Sequence, residues 1–200
     1  GIIMISDKGK NYEILDIKDI KIFGDHNLKN ILSVVGTCYL LGINLHVVKN
    51  AIIQFNGVEH RLEYVDIIKG VKYINDSKGT NIESTIVAIK AFKEDKILIL
   101  GGKDEGASFE KLASNIDTSV KNIILYGETK DLIKESLDEI NFTNVNIVDS
   151  LEKAVELSYE IAKSNQIVLF SPACASYDMF KSYVQRGLIF KKEVQKLKGV

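Results

Sequence analysis

Two short apolar runs, GIIMIS and NYEILDI, open the chain on either side of Asp7-Lys8-Gly9-Lys10. Strand-like runs around a polar turn predict a hairpin. IKIFG reads as a further short strand. At Asp25-His26-Asn27 the period changes. Leu28, Ile31, Leu32, Val35, Tyr39 and Leu40 recur at helical spacing up to Gly42, and LHVVKNAIIQF predicts a second helix closed by Asn56-Gly57. From residue 58 the pattern is more regular. RLEYVDI and VKYIN flank Lys69-Gly70 as another hairpin, and a helix, IESTIVAIKAF, follows. KILIL (96–100), NIILYG (122–127), NVNIVD and QIVLF (166–170) then read as strands. Between them lie FEKLASNI, KDLIKESLDEI and SLEKAVELSYEIAKS as helices, and a long helix closes the chain from about Tyr177. Apolar strands separated by amphipathic helices imply an α/β fold with a parallel sheet covered on both faces.

Composition narrows the function classes. In 200 residues, 26 basic side chains face 27 acidic ones, a net charge of -1 with no basic excess for a nucleic-acid or membrane surface. No apolar stretch approaches the roughly 20 residues that span a bilayer, and GIIMI has no basic segment before it to make a secretion signal. The chain begins mid-pattern without an initiator Met, which reads as a fragment or a processed chain. Cys38 and Cys174 lack metal-type spacing and read as reduced thiols of a cytosolic protein. His26, His46 and His60 form no HExxH-type cluster.

Candidate chemistry lies in loops that follow strands. Asn75-Asp76-Ser77-Lys78-Gly79-Thr80-Asn81 joins a strand to a helix. Thr80 and Glu83 have capping-box spacing, which makes Thr80 the expected N-cap. A helix N-terminus, a glycine that admits close approach and the charge of Lys78 together suit a phosphate or carboxylate. The same loop reads equally as a capped turn with solvated charges. Ser171-Pro172-Ala173-Cys174-Ala175-Ser176 repeats the arrangement before the last helix, with Ser176 as the expected N-cap and Cys174 as a small buried residue. In open α/β sheets the ligand crevice lies beyond the carboxyl ends of the strands. GGKDEG (101–106) also follows a strand, but neither GxGxxG nor GxxxxGK[ST] occurs in the chain.

HR at 60–61, INDSKGTN at 74–81, LILGGKDEG at 98–106 and SPACASYDMFKSYVQRG at 171–187 stand in the order and at the spacing of the Mur ligases. The chain closely resembles their C-terminal part, and GDHNLKN at 24–30 resembles the segment leading into the last helices of their central ATPase domain. The resemblance covers essentially the whole chain. It implies a remnant of the central ATP-binding domain at 1–56 and a dinucleotide-binding-like (Rossmann-like) α/β amino-acid-binding domain at 57–200. It also implies a cytoplasmic, ATP- and Mg2+-dependent amide ligase of peptidoglycan-precursor synthesis. Within the family the resemblance is to the branch that adds D-glutamate to UDP-N-acetylmuramoyl-L-alanine through an acyl phosphate, with no nucleic-acid or membrane partner. Asn30 then matches an adenine contact, with Asn27 capping the same helix. His60 and Arg61 match a pair close to the nucleotide, and Asp76 the acid at its ribose. Lys78 matches the catalytic lysine near the transferred phosphate. Thr80, Ser176 and the Tyr183 backbone match holders of the D-glutamate carboxylates.

Taken singly, His60 and Asn30 read as structural residues and Arg61 as a surface charge. Glu59 stands where the family often has proline, and Glu105 where it often has a base, which leaves Lys103 as the candidate partner of the α-carboxylate. The phosphate-binding loop and the magnesium ligands are not in these residues, so the chain alone is expected to be inactive. A sister ligase, a folylpolyglutamate-type ligase and a non-catalytic nucleotide- or amino-acid-binding module are the alternatives.

Overall fold

A computed structural model describes residues 1–199. They form two compact units, 1–57 and 58–199.

In the first unit, strands β1 (Ile2–Asp7) and β2 (Lys10–Asp16) pair antiparallel. Lys8 and Gly9, both with positive φ, make the two-residue turn whose twist suits a hairpin. Helices α1 (Asp25–Leu40) and α2 (Leu45–Gln54) cover it, burying Ile3, Ile14, Leu15, Ile31, Val35 and Val48 together. α1 ends in a paired-carbonyl cap around Gly42: Ile43 N–H donates to Cys38 O (3.0 Å) and Gly42 N–H to Tyr39 O (3.0 Å). IKIFG, expected as a strand, forms none. Ile20 and Ile22 pack against the core in irregular backbone, because the unit's sheet has only the two hairpin strands to pair with. Asn27 does not cap α1. Gly24 takes that position, and the Asn27 amide donates back to Phe23 O (2.8 Å).

The second unit is a six-stranded sheet. Strand β3 (Glu63–Ile68) pairs antiparallel with β4 (Val71–Asn75) across the Lys69-Gly70 turn. The other strands are β5 (Lys96–Leu100), β6 (Val120–Leu125), β7 (Val145–Ile147) and β8 (Ile167–Phe170), all parallel to β4. The spatial order is β3-β4-β8-β5-β6-β7, so the last strand enters between β4 and β5. Ile97, Leu98, Ile99 and Leu100 in β5 and all of β8 are buried, which is why these strands read as unbroken apolar runs. One sheet face packs Tyr73, Ile97, Ile99, Val168 and Phe170 against helices α6 (Leu151–Ile161) and α7 (Tyr183–Lys196). Strand alternation turns Ile74, Leu98, Leu100 and Leu169 to the opposite face. There helices α3 (Ile82–Lys90), α4 (Glu110–Ala113) and α5 (Lys130–Glu139) succeed one another. Among the described residues no helix is long and apolar enough to cross a membrane.

Two helix starts differ from expectation. α3 is capped by Asn81, whose side-chain Oδ1 accepts from Ser84 N–H (2.9 Å), not by Thr80. Glu83 points outward to Lys111 and closes no capping box. The final helix begins seven residues beyond Ser176, because Ser182 accepts from Gln185 N–H (3.2 Å) while residues 171–182 stay irregular.

Candidate functional site

Loops 76–81, 171–182 and 101–109 leave the carboxyl ends of the neighbouring strands β4, β8 and β5. The chain continues from β4 and β5 onto one sheet face and from β8 onto the other. β8 is thus a topological switch point, where open α/β sheets leave a crevice. Backbone bonds knit the loops together: Ala173 N–H to Gly79 O (3.0 Å), Gly101 N–H to Pro172 O (2.9 Å) and Lys103 N–H to Ala175 O (2.9 Å). Gly101 has φ +124°, and a Cβ there would lie 1.9 Å from Tyr126 O, so only glycine lets the loops close this far.

Arg186 holds the assembly from below. Its side chain is fully buried on α7, in line with the core residues Phe190 and Val194. Nε donates to Ser77 Oγ (3.1 Å) and Nη2 to Ser77 O (2.8 Å). Nη1 donates to Cys174 O (3.0 Å) and Ala175 O (3.1 Å). One guanidinium thus ties the β4 loop to the β8 loop, and burial lowers its pKa. Cys174 is buried as expected, and burial pushes its thiol up to about 11, which leaves it protonated and unreactive at neutral pH.

His60, Arg61, Asp76 and Lys78, far apart in sequence, come together. His60 O accepts from Lys78 N–H (2.9 Å). Asp76 accepts from Leu62 N–H (3.1 Å) and from Ser171 Oγ (2.7 Å), so one carboxylate pins the 60–62 segment to the ends of β4 and β8. His60 and Leu62 both adopt positive φ (65° and 45°), a conformation that L side chains hold only when neighbours enforce it. Arg61 and Lys78 are exposed. No hydrogen bond or ion pair engages the Lys78 ammonium among the described residues.

Asp76 is 4% exposed, and burial raises its pKa from 3.8 to about 6, although Ser171, Leu62 and Arg61 pull the other way. The folded state therefore holds this proton more tightly than the unfolded chain does. The resulting stabilisation is complete below about pH 4 and is lost as pH rises through about 6. Two pKa units correspond to about 2–3 kcal/mol. Asp76→Asn is thus expected to gain stability relative to the parent chain by that amount between pH 4 and pH 7. Urea denaturation at both pH values checks it, and a difference that does not change with pH would refute the buried-carboxylate account.

Thr80 and Lys103 line a cleft of about 260 Å³ with Asn81, Glu105, Ala173 and Cys174. The Lys103 ammonium is bound to Glu128 (2.8 and 3.1 Å), which raises the Lys103 pKa and lowers that of Glu128. Ser176 is buried beside the Arg186-bound carbonyls, and Tyr183 starts α7; neither lines this cleft. Tyr183 O accepts from Ser77 Oγ (2.8 Å). Asn30 lies in the first unit, exposed on α1, with its amide 3.4 Å from Asn27 Oδ1. Sequence reasoning missed Arg186, Ser77, Ser171, Glu63 and Glu128. The signal for Arg186 was present: a charged residue at i, i+4, i+8 spacing with Phe190 and Val194 stands on the core stripe of a helix.

Residues 60–174 match the family described as Mur ligase, glutamate ligase domain. Over 200 residues the chain is 44% identical to the UDP-N-acetylmuramoylalanine--D-glutamate ligase of Thermoanaerobacter sp. strain X514, covering 99% of this chain and 44% of that protein. The enzyme of the same name from Clostridioides difficile strain 630 is 44% identical over 197 residues, covering 98% and 43%. The chain therefore spans less than half the length of these curated relatives. In fold it is similar to UDP-N-acetylmuramate-alanine ligase MurC from Thermotoga maritima. The TM-score is 0.65 at 19% identity, over 94% of this chain and 40% of that one. It is likewise similar to MurF ligase from Thermotoga maritima in complex with ADP, with a TM-score of 0.61 at 18% identity over 98% and 44%.

Proposed function

The chain belongs to the Mur ligase family, and on that premise we propose that it is the C-terminal part of an ATP-dependent ligase adding D-glutamate to UDP-N-acetylmuramoyl-L-alanine. The carrying observation is 44% identity across 99% of the chain to ligases named for this substrate pair. The cleft at the switch point supports it from the geometry, because Lys103 lines it together with Thr80, which is on the loop that bears Lys78. Residues 1–56 are assigned to the end of the central ATP-binding domain and 57–200 to the amino-acid-binding domain.

In this reading ATP supplies the phosphoryl group that activates the substrate carboxylate as an acyl phosphate. The amine of D-glutamate attacks that carbonyl, an amide forms and phosphate leaves. Lys78, with an unengaged ammonium on a backbone pinned to His60, stabilises charge on the transferred phosphoryl oxygens. Arg61 neutralises nucleotide phosphate, and Asp76, which also pins the 60–62 segment, is the acid at the ribose. Asn30, in the first unit, is the adenine contact. Thr80, on the cleft wall, and Ser176 and the Tyr183 backbone, outside that cleft on the β8 loop and at the start of α7, hold the D-glutamate carboxylates. Lys103 takes the α-carboxylate by sharing its ammonium with Glu128. Among the described residues no group of three or more His, Cys, Asp or Glu side chains could hold a metal ion. The site of action is the cytoplasm.

ADP release by the full-length ligase tests the reading. Release is expected only with UDP-N-acetylmuramoyl-L-alanine and D-glutamate both present. Equal turnover with L-glutamate, L-alanine or a diamino acid would overturn the substrate assignment. Ser176→Ala is expected to raise KM for D-glutamate about tenfold and to leave KM for ATP unchanged, since a hydrogen bond to a charged group contributes about 1.5–3 kcal/mol.

A further inference from the structure

The His60 ring is fixed on nearly every side. Gly187 packs against it so closely that a Cβ would lie 2.3 Å from Nδ1. Tyr183 meets it edge-on at 6.2 Å between ring centroids. Beside the same nitrogen stands the side-chain amide of Asn75, with its Nδ2 2.9 Å from His60 Nδ1.

The orientation of that amide follows from its other contacts. Asn75 Oδ1 accepts from Ser77 N–H (3.1 Å), and Nδ2 donates to Glu63 Oε2 (3.0 Å). A flipped amide would set oxygen against the Glu63 carboxylate and N–H against N–H at Ser77, so only one orientation is compatible with the neighbours. Glu63 is itself held by Lys191 Nζ (2.6 Å), which also binds Glu59 (2.8 Å), and by His60 N–H (2.9 Å). An amide nitrogen can only donate, so Nδ1 of the ring must accept. The proton of the neutral imidazole is then on Nε2, and that atom is buried with no hydrogen-bond partner. A buried donor left unmatched is costly, and the arrangement prevents the tautomer that would relieve it.

We propose that Asn75, oriented by Glu63 and Lys191, is a positioning residue that locks His60 as its Nε2–H tautomer and reserves that N–H for a phosphate oxygen of the bound nucleotide. The acceptor is anionic because both residues joined to His60 through the main chain carry exposed cations: Arg61 follows it directly, and Lys78 N–H donates to His60 O. The tautomer is independent of the proposed function, whereas the identity of the acceptor rests on it.

Long-range proton–nitrogen correlation spectra of the histidine-labelled 200-residue chain read the tautomer directly. Protonated Nε2 and bare Nδ1 are expected at His60. Asn75→Asp, which replaces the donor by an acceptor, is expected to move the proton to Nδ1. A wild-type ring protonated at Nδ1, or a folded Asn75→Asp protein with an unchanged ring, overturns the inference whatever the protein does. In the full-length ligase, a non-hydrolysable ATP analogue is expected to shift the Nε2 proton and slow its exchange. Analogue binding seen by calorimetry with no change at Nε2–H overturns the phosphate assignment alone. No analogue binding at all overturns the proposed function and the acceptor with it. His60→Gln, which keeps an N–H near the Nε2 position, is expected to bind the analogue within about threefold of wild type. His60→Asn, whose amide reaches only the Nδ1 position, is expected to weaken binding about tenfold, the value of one charge-assisted contact. Equal affinities for the two variants would contradict the donor role.

Discussion

Lys78→Ala in the full-length ligase is expected to lower kcat by about a hundredfold or more, with a much smaller change in KM for D-glutamate. Lys72, Lys111 and Lys191 each face a carboxylate, and their charge is spent locally. Lys78 carries a charge that is not committed in this way. Its backbone is anchored by the bond to His60 O, while its ammonium meets no partner among the described residues. A cation on a fixed backbone stabilises developing charge without reorganising during the reaction. Losing one such group from an enzyme site costs about 2.7–4 kcal/mol of barrier stabilisation. Steady-state kinetics and ADP burst amplitudes separate this from a binding defect. An alanine variant with normal kcat would leave Lys78 as a solvated loop residue and would remove the phosphoryl-transfer assignment.

How far the sequence foretells this geometry depends on the range of the interaction. Both hairpins and the alternating strands and helices of the second unit are legible because period and turn chemistry are local. Lys69-Gly70 and Lys8-Gly9 supply the positive φ that their turns need. Helix starts are less legible where two good caps compete. Thr80 and Asn81 are adjacent, and Asn81 wins because its side-chain Oδ1 reaches Ser84 N–H. Ser176 and Ser182 both precede apolar residues, and the backbone just before Ser176, at 172–175, is engaged by other loops and by Arg186. The entry of β8 between β4 and β5 leaves no local trace, because any of these apolar runs could occupy the centre of a parallel sheet. The Lys103–Glu128 pair spans 25 residues and is equally silent. The motifs bring His60, Arg61, Asp76 and Lys78 to notice separately; the Asp76 bonds to Leu62 and Ser171 make them neighbours.

Arg186→Met is expected to destabilise the chain by about 2–5 kcal/mol, the cost of leaving buried carbonyls without their donor. Two effects oppose each other. Removing the guanidinium ends the desolvation of a fully buried cation, which favours the variant. It also strands the carbonyls of Ser77 and Cys174 and leaves Ala175 O only its bond from Lys103 N–H, and each unsatisfied buried acceptor costs about 1–3 kcal/mol. The second effect wins because two buried carbonyls lose their donor at once and because methionine cannot donate. Arg186→Lys keeps the charge, but a single ammonium cannot reproduce the fork that spans Ser77 on one loop and Cys174 and Ala175 on the other, so an intermediate loss is expected. Against a typical total of about 5–15 kcal/mol the methionine variant sits near the limit of folding. Urea denaturation of the chain measures the loss, and protease cleavage within 171–182 reports whether that loop is released first. A methionine variant within about 1 kcal/mol of wild type would mean that water or rearranged backbone satisfies those carbonyls. The two loops would then keep their spacing by backbone bonds such as Ala173 to Gly79 alone.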